Sequence, residues 1–156
     1  ALFIGLVVAA LGAEHLGEGA GAKQTRIANA LNWQSGALGG QALVGYQTLK
    51  PESGGSTKDL SLGGRVSYAM SHHIKLLAEL GINQRKVQGQ DAQTLSKGTV
   101  AVALSPDGKF WTRPELRLYV TRAQWNNAAR DANLNGFARN GRKSNTTVGL
   151  QVEAWW

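Results

Sequence analysis

The chain contains no cysteine, one methionine and three prolines among 156 residues. The missing cysteine excludes disulfides, thiolate metal sites and cysteine nucleophiles together. It leaves the redox surroundings open. Long apolar runs are missing as well, since nowhere do about 20 apolar residues follow one another, the length a helical membrane span needs. The longest run, ALFIGLVVAALGA at residues 1–13, has the shape of a secretory-signal core ending in small residues, but no basic segment precedes it. Gly5, Val7 and Val8 make it read better as a strand. Acidic residues are scarce: ten Asp and Glu face seventeen Lys and Arg, a formal net charge of +7. Such an excess fits nucleic acid, an anionic membrane surface or simple solubility, and charge alone does not choose.

What the chain does have is glycine, 20 residues of it, and a hydrophobic period of two rather than 3.6. In KDLSLGGRVSYAM one parity holds Leu60, Leu62, Val66, Tyr68 and Met70, and the other Ser61, Arg65 and Ser67. IKLLAELGINQ sets Leu76, Ala78, Leu80 and Ile82 against Leu77, Glu79, Gly81 and Asn83. FWTRPELRLYVT sets Leu116, Leu118 and Val120 against Trp111, Arg113, Glu115, Arg117, Tyr119 and Thr121. In the final stretch Val148, Leu150, Val152, Ala154 and Trp156 oppose Gly149, Gln151, Glu153 and Trp155.

These patterns predict eight strands, at about 2–12, 25–34, 39–49, 59–70, 75–84, 96–104, 111–125 and 146–156. The second, third and sixth alternate poorly. The connections run long, short, long, short, long, short, long, with short turns expected near 35–38, 71–74 and 105–110. Sorting of this kind belongs to an antiparallel transmembrane β-barrel, which has short periplasmic turns and longer outer loops. The fold expected is therefore all-β, one barrel domain over residues 1–156, apolar outside and polar within. A lipid-facing Arg near the midplane costs about 2–4 kcal/mol, so Arg65, Glu79, Arg113, Glu115, Arg117 and Glu153 must face a wet lumen.

Parity also sorts the tryptophans. Trp156 shares a face with Val148, Leu150 and Val152 and belongs to the aromatic girdle at the rim. Trp155 and Trp111 fall on the polar parity, which puts two indoles in the lumen. Lumenal aromatics can be plain packing. They can also stack on the C–H faces of sugar rings, with Arg113, Arg117, Glu115 and Glu79 as hydroxyl partners.

The element WTRPELR (111–117), the terminal pair AWW (154–156) and the hairpin LGGRVSYAMSHHIKLLAELGINQRKV (62–87) resemble the C-terminal end of the maltoporin family, and NALNWQSG fits more loosely. That family comprises trimeric, sugar-selective porins of Gram-negative outer membranes. The resemblance implies an eighteen-stranded barrel of which this chain supplies the C-terminal part. It matches Trp111 and Trp155 to the aromatic slide along which maltooligosaccharides pass, and Trp156 to the terminal aromatic that serves barrel insertion. It implies oligosaccharide as substrate, outer-membrane lipid and lipopolysaccharide as surroundings, a homotrimer, and neither enzyme activity nor cofactor. The roles of Arg113, Glu115 and Arg117 rest on parity alone.

Other readings stay beside this one. A closed eight-stranded barrel would have an interior about filled by side chains and would anchor or adhere rather than transport. A soluble basic β-protein on nucleic acid leaves the apolar face unexplained, so no nucleic-acid partner is expected. SHHIK (71–75) reads as a tight turn rather than a catalytic or metal site, and no Ser/His/Asp set has supporting spacing. GEGAGAKQ lacks the phosphate-loop spacing. SPDGK (105–109) is turn chemistry. The basic loop ARDANLNGFARNGRKSN either meets leaflet phosphates or is simply solvated.

Overall fold

The computed structural model describes residues 2–12 by their backbone path and residues 21–154 in full. Eight strands form one antiparallel sheet: β1 (Leu2–Gly12), β2 (Lys23–Ser35), β3 (Leu38–Lys50), β4 (Thr57–Ala69), β5 (Ile74–Val87), β6 (Gln93–Leu104), β7 (Glu115–Trp125) and β8 (Ser144–Glu153). The order is sequential, β1 to β8, so every ladder joins chain neighbours and β1 and β8 form the two edges. A six-residue helix, α1 (Asn127–Ala132), and a 3-10 turn (Arg139–Gly141) lie between β7 and β8. Among the described residues no helix is long and apolar enough to cross a membrane.

The strands form where the period-two stretches predict them, including the three that alternate poorly. In β6 the sequence KGTVAVAL alternates once alanine is counted with Lys97 and Thr99 rather than with the valines. Two expectations need correction. The seventh strand begins at Glu115, not at residue 111. Pro114 has no N–H to give a ladder, and the peptide bond before it, Arg113–Pro114, is cis. The connection expected to be a short turn at 105–110 therefore runs from 105 to 114. It is longer than the connections at 51–56 and 88–92 on the opposite end, so loop length sorts the two ends only in part.

The distribution of side chains is inverted relative to a soluble protein. Leu80, Val100, Leu118, Val148, Leu150 and Val152 are all more than half exposed, while Lys75 and Glu115 are among the most deeply buried side chains. The exposed apolar residues lie on one parity of every strand from β4 to β8. From Ile74 to Ile82 that face covers roughly 26 Å of strand, about 20 Å after a tilt near 40°, close to the apolar band of a membrane barrel. On the other face Arg65 of β4 and Gln151 of β8 line one concavity, so the sheet curls with its polar face inside. Gly149 permits part of this curl: a Cβ there would sit 2.5 Å from the Tyr119 hydroxyl, which lies across it on the neighbouring strand.

Candidate functional site

The inner face carries three tiers of polar side chains, each fixed by cross-strand register. At the end of the longer loops, Arg26 Nε donates to Gln47 Oε1 at 2.8 Å. Arg85 Nε meets Asp59 Oδ1 at 2.6 Å, and Ser61 Oγ lies 2.7 Å from Asn83 Oδ1. The connection 126–143 folds over this tier. Asn126 caps α1 by accepting from the Ala129 N–H at 2.9 Å, and its side chain also accepts from Thr94 N–H and donates to the Ala92 carbonyl. Trp125 is buried beneath, its Nε1–H donating to the Arg142 carbonyl at 2.7 Å and its ring edge-on to Phe137 at 4.9 Å. The basic loop is thus folded inward and fastened.

The middle tier is open. Arg65 and Glu79 are direct cross-strand partners; the guanidinium donates to Glu79 Oε2 from Nε at 2.9 Å and from Nη2 at 2.6 Å. Lys97 reaches Glu79 Oε1 at 3.4 Å. Thr99 and Thr121 share a hydrogen bond of 2.7 Å, and Tyr119 and Gln151 complete the wall of a concavity of about 360 Å³. The side chains of Arg65, Glu79 and Lys97 retain 29%, 26% and 46% of their exposure. Spare donors and acceptors therefore point into space that solvent reaches.

The lower tier is closed. Lys75 Nζ lies 2.5 Å from Glu115 Oε2, and Arg117 Nε bonds the other oxygen of that carboxylate. Arg117 Nη2 lies 2.5 Å and Arg113 Nη2 3.1 Å from Glu153 Oε2. Lys75, Glu115, Arg113 and Arg117 keep 0%, 1%, 3% and 6% of their side-chain exposure. Three cations and two carboxylates interlock, and their remaining donors fasten the connection 105–114: Lys75 Nζ to the Lys109 carbonyl at 2.9 Å, Arg113 Nη1 to the carbonyls of Phe110 and Thr112.

That connection does not hang free. It folds inward across the sheet until the Phe110 N–H donates to Gln34 Oε1 of β2 at 2.8 Å, and Phe110 itself is buried. Gly108 fits because nothing larger would: a Cβ there would lie 2.6 Å from that of Ala69. Inside the loop Asp107 accepts from the Thr112 hydroxyl and from the Lys109 N–H at 2.8 Å. The Thr112 hydroxyl first, then the Lys109 amide, hold the Asp107 carboxyl below the usual carboxylate range.

The sequence-predicted residues divide accordingly. Glu79 lies in the open middle tier, whereas Arg113, Glu115 and Arg117 share the closed one. Trp111 rides on the inward loop, 44% exposed and edge-on to Phe110 at 4.9 Å; its position comes from the loop rather than from strand parity. Trp155 and Trp156 lie outside the described residues. His72 and His73 stack edge-on at 4.5 Å in the β4–β5 turn, and among the described residues no three His, Asp or Glu side chains group as a metal site. Lys75, Lys97, Thr99 and the Phe110–Gln34 fastening escaped the sequence reading. Parity with Glu79 was the available signal for Lys75, and parity with Ala101 for Lys97 and Thr99.

Comparison with known proteins supplies a family context. The profile of the LamB porin family matches residues 7–156. A maltoporin of Hahella chejuensis is 33% identical over 96 residues, which are 62% of this chain and 22% of that protein. Maltoporin 1 of Klebsiella pneumoniae is 31% identical over 104 residues, 64% of this chain and 23% of that protein. The matched region spans less than a quarter of the length of either relative.

Proposed function

The chain belongs to the LamB porin family, and on that premise we propose that it walls the lumen of a sugar-selective porin in a Gram-negative outer membrane, passing maltose and maltooligosaccharide-type carbohydrates by passive diffusion. The observation that carries this reading is the middle tier. Arg65, Glu79, Lys97 and Tyr119 offer exposed donors and acceptors on a curved inner wall, behind an outward face of exposed aliphatic side chains.

Pyranose rings have apolar C–H faces and a rim of hydroxyls. The flat rings of Trp111 and Trp155 suit the faces, and the charged tier suits the rim. Glu79 accepts hydroxyl hydrogens while Arg65 and Lys97 donate to hydroxyl oxygens, so adjacent hydroxyls of one ring can be held at once. Each contact is offset by lost water, so binding stays weak. A porin needs that, because a site must recruit its solute and also release it. The relatives' name, maltoporin, supports the substrate class.

The edges β1 and β8 pair, in this reading, with further strands of an eighteen-stranded barrel, since an unpaired edge in lipid leaves backbone groups unsatisfied. Trp156 serves insertion at the rim, and the complete protein is a homotrimer surrounded by outer-membrane lipid and lipopolysaccharide. Liposome swelling with maltose-series sugars tests the transport reading. The complete porin should admit them faster than size-matched neutral solutes, and Trp111→Ala with Trp155→Ala should remove most of the difference. Equal rates for variant and wild type would overturn the slide.

A further inference from the structure

The outward face carries charge at one end only, and that charge is of one sign. On the parity of Ile27, Tyr46, Leu60, Ile82 and Val120 the strands end, toward the longer loops, on Lys23, Lys50, Lys58, Lys86 and Arg122. All five are exposed. Among the described residues none of them meets a carboxylate, and Arg122 has only the hydroxyls of Thr146 and Ser144 at 3.3 and 3.4 Å. At the opposite end the same face presents Trp33, Leu38, Tyr68, Ile74, Leu104 and Leu116, with no charged strand residue among those described.

Register sharpens the oddity. Lys23 stands directly opposite Lys50, and Lys58 directly opposite Lys86. Like charges in directly opposed positions destabilise a sheet. The inner face, by contrast, opposes Arg65 to Glu79 and Arg85 to Asp59. Where the inner face does oppose like charges, Glu115 to Glu153, Arg113 and Arg117 bridge the two carboxylates, whereas the outer lysine pairs have no such bridge among the described residues and leave their countercharge to the surroundings.

Depth identifies those surroundings. Lys58 lies one outward position beyond Leu60, roughly 7 Å along the strand, and Lys86 two beyond Ile82, roughly 13 Å. That places the ammonium groups just past the apolar band, at the level of lipid headgroups, where long cationic side chains extend their stems over the hydrocarbon edge. From β2 to β7 the belt spans five strand intervals, roughly 24 Å of circumference, which is wide enough for several headgroups.

We propose that Lys23, Lys50, Lys58, Lys86 and Arg122 form a belt that binds the phosphates of an anionic lipid leaflet on the side of the longer loops. The proposal rests on the outward face meeting lipid, not on which solute the lumen passes. Its ligand is a phosphorylated lipid; it requires neither free phosphate nor a protein partner.

The test uses the complete porin in nanodiscs of zwitterionic lipid doped with labelled bisphosphorylated lipid A, dephosphorylated lipid A or phosphatidylglycerol. Wild type should retain the bisphosphorylated lipid most, and inorganic phosphate at millimolar concentration should not displace it. The variant Lys50→Gln, Lys58→Gln, Lys86→Gln, Arg122→Gln should retain it several hundredfold less, since each of the four cations near an anionic surface contributes about fivefold. Exchanging the three lysines for arginine should preserve retention. Equal retention by wild type and the Gln variant, or equal retention of the phosphorylated and dephosphorylated lipid, would overturn the belt. Swelling rates for sugars, measured on the same samples, report separately on the transport reading and should not change.

Discussion

β5 contributes Lys75 to the lower tier and Glu79 to the middle one, four residues apart on the same face, and the two tiers use the same residue types. Their environments differ completely. Around Lys75 and Glu115 the ion pairs are buried, and Lys75 and Arg113 also donate to carbonyls of the inward loop. Around Glu79 the ion pairs are made at the surface of an open trough. Ionic residues on the inner face are thus of two kinds, those that hold the wall together and those that face open space, and burial separates them where residue type does not.

The sharpest way to break this comparison is Glu115→Gln. It strands Lys75 and two guanidiniums in a buried place, and removing one partner of a buried ionic cluster costs about 3–5 kcal/mol. The folded porin should lose heat resistance on a gel that distinguishes folded from heated barrel, with the inward loop becoming protease-sensitive. Unchanged melting would mean that the lower tier is not a brace. The matched variant in the middle tier, Glu79→Gln, should change stability by less than about 1 kcal/mol, as partly exposed ion pairs do. It should nevertheless weaken maltooligosaccharide block of ion current by about tenfold or more, the worth of one hydrogen bond to a charged group. A large stability loss with no change in block would reverse the two assignments.

The smallest effect concerns acid. The Asp107 carboxyl sits below its ordinary value because Thr112 and Lys109 bond its ionised form. A group whose folded value is depressed contributes stability that is present above the unfolded value and fades as pH falls through the folded one. Amide exchange at Lys109 and Thr112 should therefore accelerate only below the usual carboxylate range. Asp107→Asn should exchange faster already at neutral pH and lose most of that acid dependence.

Much of this arrangement is legible in the sequence, because a strand has one bit of pattern per residue and the two faces here differ sharply. The parity of Leu76, Leu80 and Ile82 against Glu79 suffices to place Glu79 inside. Parity says which face, however, and not how deep or beside whom. Glu115 and Glu79 look equivalent in the sequence, and only the cross-strand register that brings Lys75, Arg117 and Glu153 together separates them. Alanine hid the pattern of β6, since it suits lipid and lumen alike. SPDGK at 105–109 reads as local turn chemistry, and in the loop 105–114 its Pro-Asp-Gly is indeed that. What carries it across the sheet is a hydrogen bond between residues 76 apart, and no local pattern encodes such a partner.

That bond has a geometric consequence. All seven ladders could be kept while the sheet opened or tightened, because neighbouring strands constrain only each other. The tie from Phe110, between β6 and β7, to Gln34 at the end of β2 is instead a chord drawn across an arc, and a chord of fixed length on an arc of fixed perimeter determines its radius. The width of the opening at this end is thereby set by one amide and one glutamine oxygen.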